Sequence, residues 1–214
     1  MLENVEVLYH SSIKIKDNKI IYIDPFKIDK DYNDADIVFI THDHFDHYSE
    51  EDIDKVINEN TTIIIPEELL TKILRKGINK NAVITVESNK EYKEYMVQGI
   101  KFETIPAYNT NKTLHPKEND WVGYIITLDG IRYYIAGDTD ITKENRKVKC
   151  DVAFVPVGGT YTMNYSEAAE LVNIIKPKIA VPIHYGSVVG TKQDATNFIK
   201  LLHSSIKGII LMKQ

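Results

Sequence analysis

Three of the chain's seven histidines fall within residues 42–47, in the run Thr41-His42-Asp43-His44-Phe45-Asp46-His47. Imidazole nitrogens and carboxylate oxygens at this density suit Zn²⁺, Fe or Mn. The run is internal and directly follows the apolar stretch 36–40 (DIVFI), which reads as a buried strand. The cluster therefore sits at a strand's C-terminal edge, where α/β folds bind ligands. His42 and His44, two apart, point the same way in an extended chain. Asp46 and His47 lie one turn further on, where a helix begins. One short segment can thus supply ligands to two neighbouring metal ions. A polar loop capping a helix also carries such residues, but gives no reason to mix His and Asp at HxHxDH spacing behind a core strand. Asp43 faces away in an extended segment, so a supporting hydrogen bond suits it at least as well as catalysis.

The elements that position this run are readable. Strands are predicted over 5–10 and 12–16, with Asp17-Asn18 as a turn and 20–23 as the hairpin partner. Ser49-Glu50-Glu51-Asp52 resembles a capping box before the helical spacing of Ile53, Val56 and Ile57. A strand over 61–65 leads to a helix starting at Pro66, with Leu69, Leu70, Ile73 and Leu74 on its apolar face and Gly77 to stop it. Short strands fill 83–106. Residues 108–120 (YNTNKTLHPKEND) form a polar loop, and loops of that length in a compact domain are functional or mobile. The strands 121–128 and 131–136 flank the hairpin signal Asp129-Gly130. A strand over 152–157, a helix over 165–175, a strand over 179–183, a helix over 193–202 and a closing strand over 209–212 follow. This is an α/β layered chain in which an order of strands, then strand-helix pairs, loosely occurs twice. No linker marks a boundary, so a single domain over 1–214 is expected.

The run THDHFDH resembles the HxHxDH signature of the metallo-β-lactamase superfamily. Gly137-Asp138-Thr139-Asp140 is similar to that superfamily's metal-bridging Asp turn, and Val181-Pro182-Ile183-His184-Tyr185 to its last His ligand at a strand end. Tyr9-His10-Ser11-Ser12 and the Pro-x-His-Tyr ending resemble the branch containing L-ascorbate-6-phosphate lactonase, to which N-acyl phosphatidylethanolamine phospholipase D is related. The resemblance implies an αββα sandwich of two mixed β-sheets flanked by helices. It implies His42 and His44 as ligands to a first metal, Asp46, His47 and His184 to a second, and Asp138 as the bridge. Asp46 and His184 are the implied catalytic residues. The pattern places a third histidine just after the strand ending in Ile105-Pro106, where this chain has Ala107-Tyr108-Asn109. Asn109 is the counterpart by position, though an amide oxygen suits harder ions than zinc. His115, in the polar loop, is the other candidate to complete that site.

The chemistry implied is hydrolysis. Two divalent ions bring four positive charges, of which Asp46 and Asp138 cancel two. The remainder favours hydroxide at neutral pH, because coordination lowers the pKa of water to about 7. An ester, lactone or phosphodiester of a small, anionic substrate is in reach. Zn²⁺, as one or two ions, is the expected cofactor, with Mn²⁺ or Fe²⁺ as alternatives. His10, Asp43 and Tyr185 are candidates to support the ligands or meet the substrate. Lys112, Lys117 and Trp121 lie in or beside the polar loop, and Gly158-Gly159-Thr160 could hold an anion or simply turn.

Composition narrows the classes. The net charge of −5 disfavours a dedicated nucleic-acid binder, so no nucleic acid is expected as partner and, of the alternative phosphodiesterase or nuclease, the nuclease ranks low. A metal-binding protein of the same fold without turnover is the other alternative. The lone Cys150 permits no internal disulfide, which fits a reducing compartment. With no basic-then-apolar leader and no long apolar run, a cytoplasmic protein without a membrane-spanning segment is expected. Self-association into a homo-oligomer is left open.

Overall fold

A computed structural model describes residues 1–88 and 94–212. Two compact units make up the chain, residues 1–87 with 212–214, and residues 88–211.

The first unit is a six-stranded mixed sheet in chain order. β1 (Val5–Tyr9), β2 (Ser12–Lys16) and β3 (Ile20–Ile23) form an antiparallel meander. β4 (Ile37–Phe39), β5 (Thr62–Pro66) and β6 (Val83–Val86) add in parallel. The parallel pairs need crossovers, and α1 (Glu50–Val56) and α2 (Leu70–Arg75) serve as two of them. Their faces, with Ile53, Val56, Leu69 and Ile73, close on Tyr22, Val38, Ile40, Ile63 and Ile65. β4 is buried along its whole length, as a continuous apolar run requires. Ser49 caps α1, its Oγ accepting from the Asp52 N–H and donating to Asp52 Oδ2 at 2.7 Å, so the return bond runs through the hydroxyl and not through the Ser49 backbone N–H as in a capping box. The Asp52 carboxylate also accepts from the backbone N–H groups of Lys27 and Ile28, both at 2.9 Å. The helix so holds down the loop between β3 and β4. Pro66 is not the first helical residue. It ends β5 in extended backbone, and a 3₁₀ turn over Glu67–Leu69 intervenes before α2.

The second unit is a seven-stranded mixed sheet, again in chain order. β7 (Glu94–Val97), β8 (Ile100–Pro106), β9 (Val122–Leu128) and β10 (Ile131–Ile135) are antiparallel. β11 (Val152–Pro156), β12 (Ile179–Ile183) and β13 (Lys207–Gly208) are parallel. Asp129 and Gly130 both take positive φ, 47° and 76°, the conformation that a two-residue type I′ hairpin demands. α3 (Tyr165–Ile175) begins at a capping box of Asn164 and Glu167, and α4 (Lys192–Lys200) at one of Thr191 and Asp194. Residues 209–212 are not the expected strand. Only Lys207 and Gly208 pair with β12, and the chain then leaves this sheet, Met212 belonging to the first unit. Of the strands expected over 83–106, residues 89–93 lie outside the described residues.

The α/β class with two mixed sheets and flanking helices is thus present. Each sheet repeats one order, an antiparallel meander followed by parallel strands joined through helices. The HxHxDH run, Asp138 and His184 follow the C-terminal ends of the parallel-paired strands β4, β10 and β12, whereas His10 and Asn109 follow the antiparallel strands β1 and β8.

Candidate metal centre

In the first unit, the donors gather where β3 and β4 end side by side. Asp24 follows β3 with φ 45°, a left-handed conformation that a non-glycine residue holds only under surrounding constraint. Its N–H donates to the Phe39 carbonyl at 2.9 Å. Its buried carboxylate receives the Thr41 N–H at 2.8 Å and the Thr41 hydroxyl at 2.7 Å. His47 Nδ1 stands 2.7 Å from the same Oδ2. A carboxylate only accepts, so Nδ1 of His47 carries the proton and Nε2 the lone pair. The one Thr41 hydroxyl proton is committed to Asp24. His42 Nδ1, 2.9 Å from Thr41 Oγ1, must then donate, and its Nε2 also keeps the lone pair. Asp24 so sets the tautomer of two candidate ligands, the role that carboxylates play behind ligating histidines.

His42 Nε2 lies 3.1 Å from His44 Nδ1. Asp46, buried, has its Oδ2 at 3.2 Å from His10 Nε2 and 3.8 Å from His47 Nε2. Zn–N bonds of about 2.0–2.1 Å at tetrahedral angles put neighbouring ligand atoms about 3.3 Å apart. The spacings therefore fit donors around a cation. The His10–Asp46 and His42–His44 spacings lie nearest that value, while between His47 and Asp46, at 3.8 Å, a ring lone pair faces a carboxylate in buried surroundings. The backbone wraps tightly to achieve this, the N–H groups of His47 and Tyr48 both bonding the His44 carbonyl.

In the second unit, Asp138 follows β10 and His184 follows β12. Asp138 Oδ2 lies 3.1 Å from His184 Nε2 and 3.1 Å from His115 Nε2. All three residues are buried. His184 takes φ 57°, so its placement too is imposed by its surroundings. Gly158, after β11, supplies the room: a Cβ there would collide with the His184 carbonyl oxygen. Gly158-Gly159 therefore serves backbone packing and turning, Gly159 having φ 68°.

The polar loop is stapled to the Asp138 turn. Thr110 N–H donates to Asp140 Oδ2 at 2.9 Å, and Lys112 pairs with Asp140. The Tyr108 hydroxyl donates to Glu144 at 2.7 Å, and Lys117 pairs with Glu144 at 3.0 Å. Burial would raise the Glu144 pKa, but these two bonds outweigh it and hold the carboxyl below its ordinary value. Trp121 packs edge-on to the His115 ring at 5.5 Å.

Of the sequence candidates, His10, His42, His44, Asp46 and His47 come together in the first unit, and Asn109, His115, Asp138 and His184 in the second. Asp43 turns away from the other donors and pairs with Lys72 of α2. An open cleft of about 590 Å³ on that side is lined by Asp43, Phe45, Tyr48 and the cations Lys72, Arg75 and Lys76, and by none of the clustered histidines. Tyr185 is buried at 2 % exposure, and that burial raises its pKa. Cys150 stands apart, its thiol pushed up to about 12 by burial and by Asp151. Sequence reasoning missed Asp24 and Thr41. The available signal was an acid directly closing the apolar run Ile20–Ile23.

Residues 4–184 match the family described as Beta-lactamase superfamily domain. A UPF0173 metal-dependent hydrolase of Pyrococcus abyssi is 30% identical over 97% of this chain and 95% of its own length. A solved structure from Parabacteroides distasonis is 33% identical with a TM-score of 0.79, covering 98% of this chain and 93% of that one. Igni18, a metallo hydrolase of Ignicoccus hospitalis, shares the fold at 23% identity and a TM-score of 0.78, over 97% of this chain and 94% of its own.

Proposed function

We propose a ligand set and a reaction for this chain, which belongs to the beta-lactamase superfamily and is a metal-dependent hydrolase. His42 and His44 would hold a first ion and Asp46, His47 and His184 a second, with Asp138 shared between them. The supporting observation is the tautomer control by Asp24, which fixes the lone pairs of His42 and His47 on their ligating Nε2 atoms. Pairs of donors about 3.1 Å apart, part-buried in the first unit and buried in the second, belong to groups of the kind that hold a metal. Zn²⁺ suits a set so rich in imidazole, in one or two ions, with Mn²⁺ or Fe²⁺ as alternatives. Bound there, the metal supplies Lewis acidity and brings the pKa of water to about 7.

The chain's own residues then do the rest. Asp46 Oδ2 orients the attacking water and takes its proton, and His10 Nε2 at 3.2 Å holds that carboxylate in place. His184, fixed by its strained backbone and by Gly158, keeps Asp138 aligned. The 108–120 loop, braced on Asp140 and Glu144 and bearing Lys112 and Lys117, selects the substrate. We read that substrate as a small, anionic ester, lactone or phosphodiester, in keeping with the lactonase-like branch. The lone cysteine and the charge balance favour a cytoplasmic, single-domain enzyme over 1–214 that does not act on nucleic acid. Among the described residues no helix is long and apolar enough to cross a membrane.

The test is turnover on a panel of lactones, carboxylate esters and bis(p-nitrophenyl) phosphate, with and without a chelator. His47→Ala and chelation should each abolish the rate. A rate that survives both would refute the mechanism, and stoichiometric metal without turnover on any of the panel would leave a metal-binding protein.

A further inference from the structure

We propose that His115, and not Asn109, completes the first metal position, and that Asn109 is the positioning residue that presents it. The inference rests on the metal-centre reading above and concerns residues of the second unit.

Asn109 Nδ2 donates to the Tyr161 carbonyl at 2.9 Å, while its Oδ1 accepts the His115 backbone N–H at 3.0 Å. Flipping the amide would break both bonds, so the orientation is determined by the network. The same Oδ1 lies 3.1 Å from His115 Nδ1. Both lone pairs of the oxygen are thereby taken by His115, and Asn109 has none to offer a metal. Position alone made Asn109 the counterpart of the expected histidine; its bonding makes it a clamp.

The clamp has a chemical consequence. An amide oxygen can only accept, so His115 Nδ1 carries the ring proton and Nε2 the lone pair. That lone pair faces Asp138 Oδ2 at 3.1 Å, in a residue that is fully buried. Two acceptors so placed are reconciled by a cation between them, a proton or a metal ion. The same Oδ2 meets His184 Nε2 at 3.1 Å. One carboxylate oxygen flanked by two imidazole nitrogens is the arrangement for a bridging carboxylate with a histidine on either side.

The loop closes so that the sequence gap vanishes in space. Asn109 N–H donates to the His115 carbonyl at 2.8 Å, returning the bond that its side chain accepts. Residues 110–114 are looped out, and His115 arrives beside Asn109. Thr110 and Lys112 tie the loop to Asp140, two residues beyond Asp138. Ligand and bridging carboxylate are thus carried by one braced piece of chain.

The experiment is metal binding, read by competition with a chromophoric chelator and by the absorption spectrum of the Co²⁺-loaded protein. Wild type, His115→Ala, His115→Gln, Asn109→Ala and His184→Ala are compared, and melting curves in chelator establish that each is folded. The expected result is the loss of one metal equivalent and of one set of Co²⁺ bands in both His115 variants. Asn109→Ala, with the ligand left free to turn, should weaken that same ion by about 10–100-fold. Folded His115 variants that bind both equivalents with wild-type affinity and spectrum would overturn the inference while leaving the metal centre standing. A wild type that binds no metal at all would instead overturn the metal-centre reading and this inference with it, and His184→Ala, which removes a ligand of the other ion, should lose a different set of Co²⁺ bands from the His115 variants.

Discussion

Replacing Asp24 by Asn changes one atom pair and should disarm two ligands. If the amide keeps its oxygen at the Oδ1 position, accepting the Thr41 N–H now at 2.8 Å, its NH₂ takes the Oδ2 position. It then donates to both Thr41 Oγ1 and His47 Nδ1, which stand at 2.7 Å from that atom. His47 Nδ1 becomes an acceptor and its proton moves to Nε2, the ligating atom. The Thr41 hydroxyl proton, released from Asp24, turns to His42 Nδ1 at 2.9 Å and pushes that ring's proton to Nε2 as well. Loss of such support costs about 10–100-fold in metal affinity per ligand, or about 1.4–2.7 kcal/mol. The flipped amide is no escape, since it sets an NH₂ against the Thr41 N–H and strands a buried donor at about 1–3 kcal/mol. His42 and His47 belong to different ions in the proposed set, so both affinities should fall at least tenfold. The assay is chelator competition at neutral pH, with Glu170→Gln, an exposed partner of Arg146, as the variant that should bind like wild type. A folded Asp24→Asn protein holding both ions within twofold of wild type would refute the tautomer argument.

Two further predictions concern the scaffold. Gly158→Ala should lower the melting temperature and the metal content together, because the added Cβ must displace the His184 carbonyl; an unchanged metal content would show that His184 does not depend on that close approach. Asp52 should make the protein acid-labile. Burial would raise its pKa, but bonds from Ser49, the Ile28 N–H, Lys55 and the Lys27 N–H outweigh burial and lower it. A depressed carboxylate stabilises above its unfolded pKa of about 4 and loses that contribution as pH falls through the folded value. Asp52→Ala should therefore reduce stability at pH 7, by about 1–3 kcal/mol for each backbone donor stranded, and the gap to wild type should shrink as the pH drops below 4. A gap that is constant from pH 7 to pH 3 in chemical denaturation would contradict it.

Local signals were legible where the physics is local. The Asn164 cap and the apolar face behind it mark α3 over its full span, and Asp129-Gly130 specifies its hairpin through backbone conformation alone. The HxHxDH run is legible because six neighbouring residues carry it. What escaped depends on pairing between distant segments. Asp24 meets Thr41, 17 residues on, only because β3 and β4 lie parallel in a register that aligns their ends. The lock between Asn109 and His115 arises from a side-chain amide closing a loop, for which no spacing rule exists. The closing strand fails for the opposite reason: residues 209–212 have the composition of a strand, but after one bond from the Ile209 N–H to the Ala180 carbonyl at 2.9 Å the chain departs from the sheet. Spacing alone leaves Asp43 open, since its partner Lys72 lies 29 residues away on α2.

In the proposed function, buried histidines and carboxylates, with their tautomers fixed from behind, hold catalytic metal. The most direct test is elemental analysis by plasma mass spectrometry of the chain purified without added metal. About two equivalents of a transition metal per chain is the predicted result. A folded chain that carries no stoichiometric metal, and takes up none from Zn²⁺, Mn²⁺ or Fe²⁺, would contradict it.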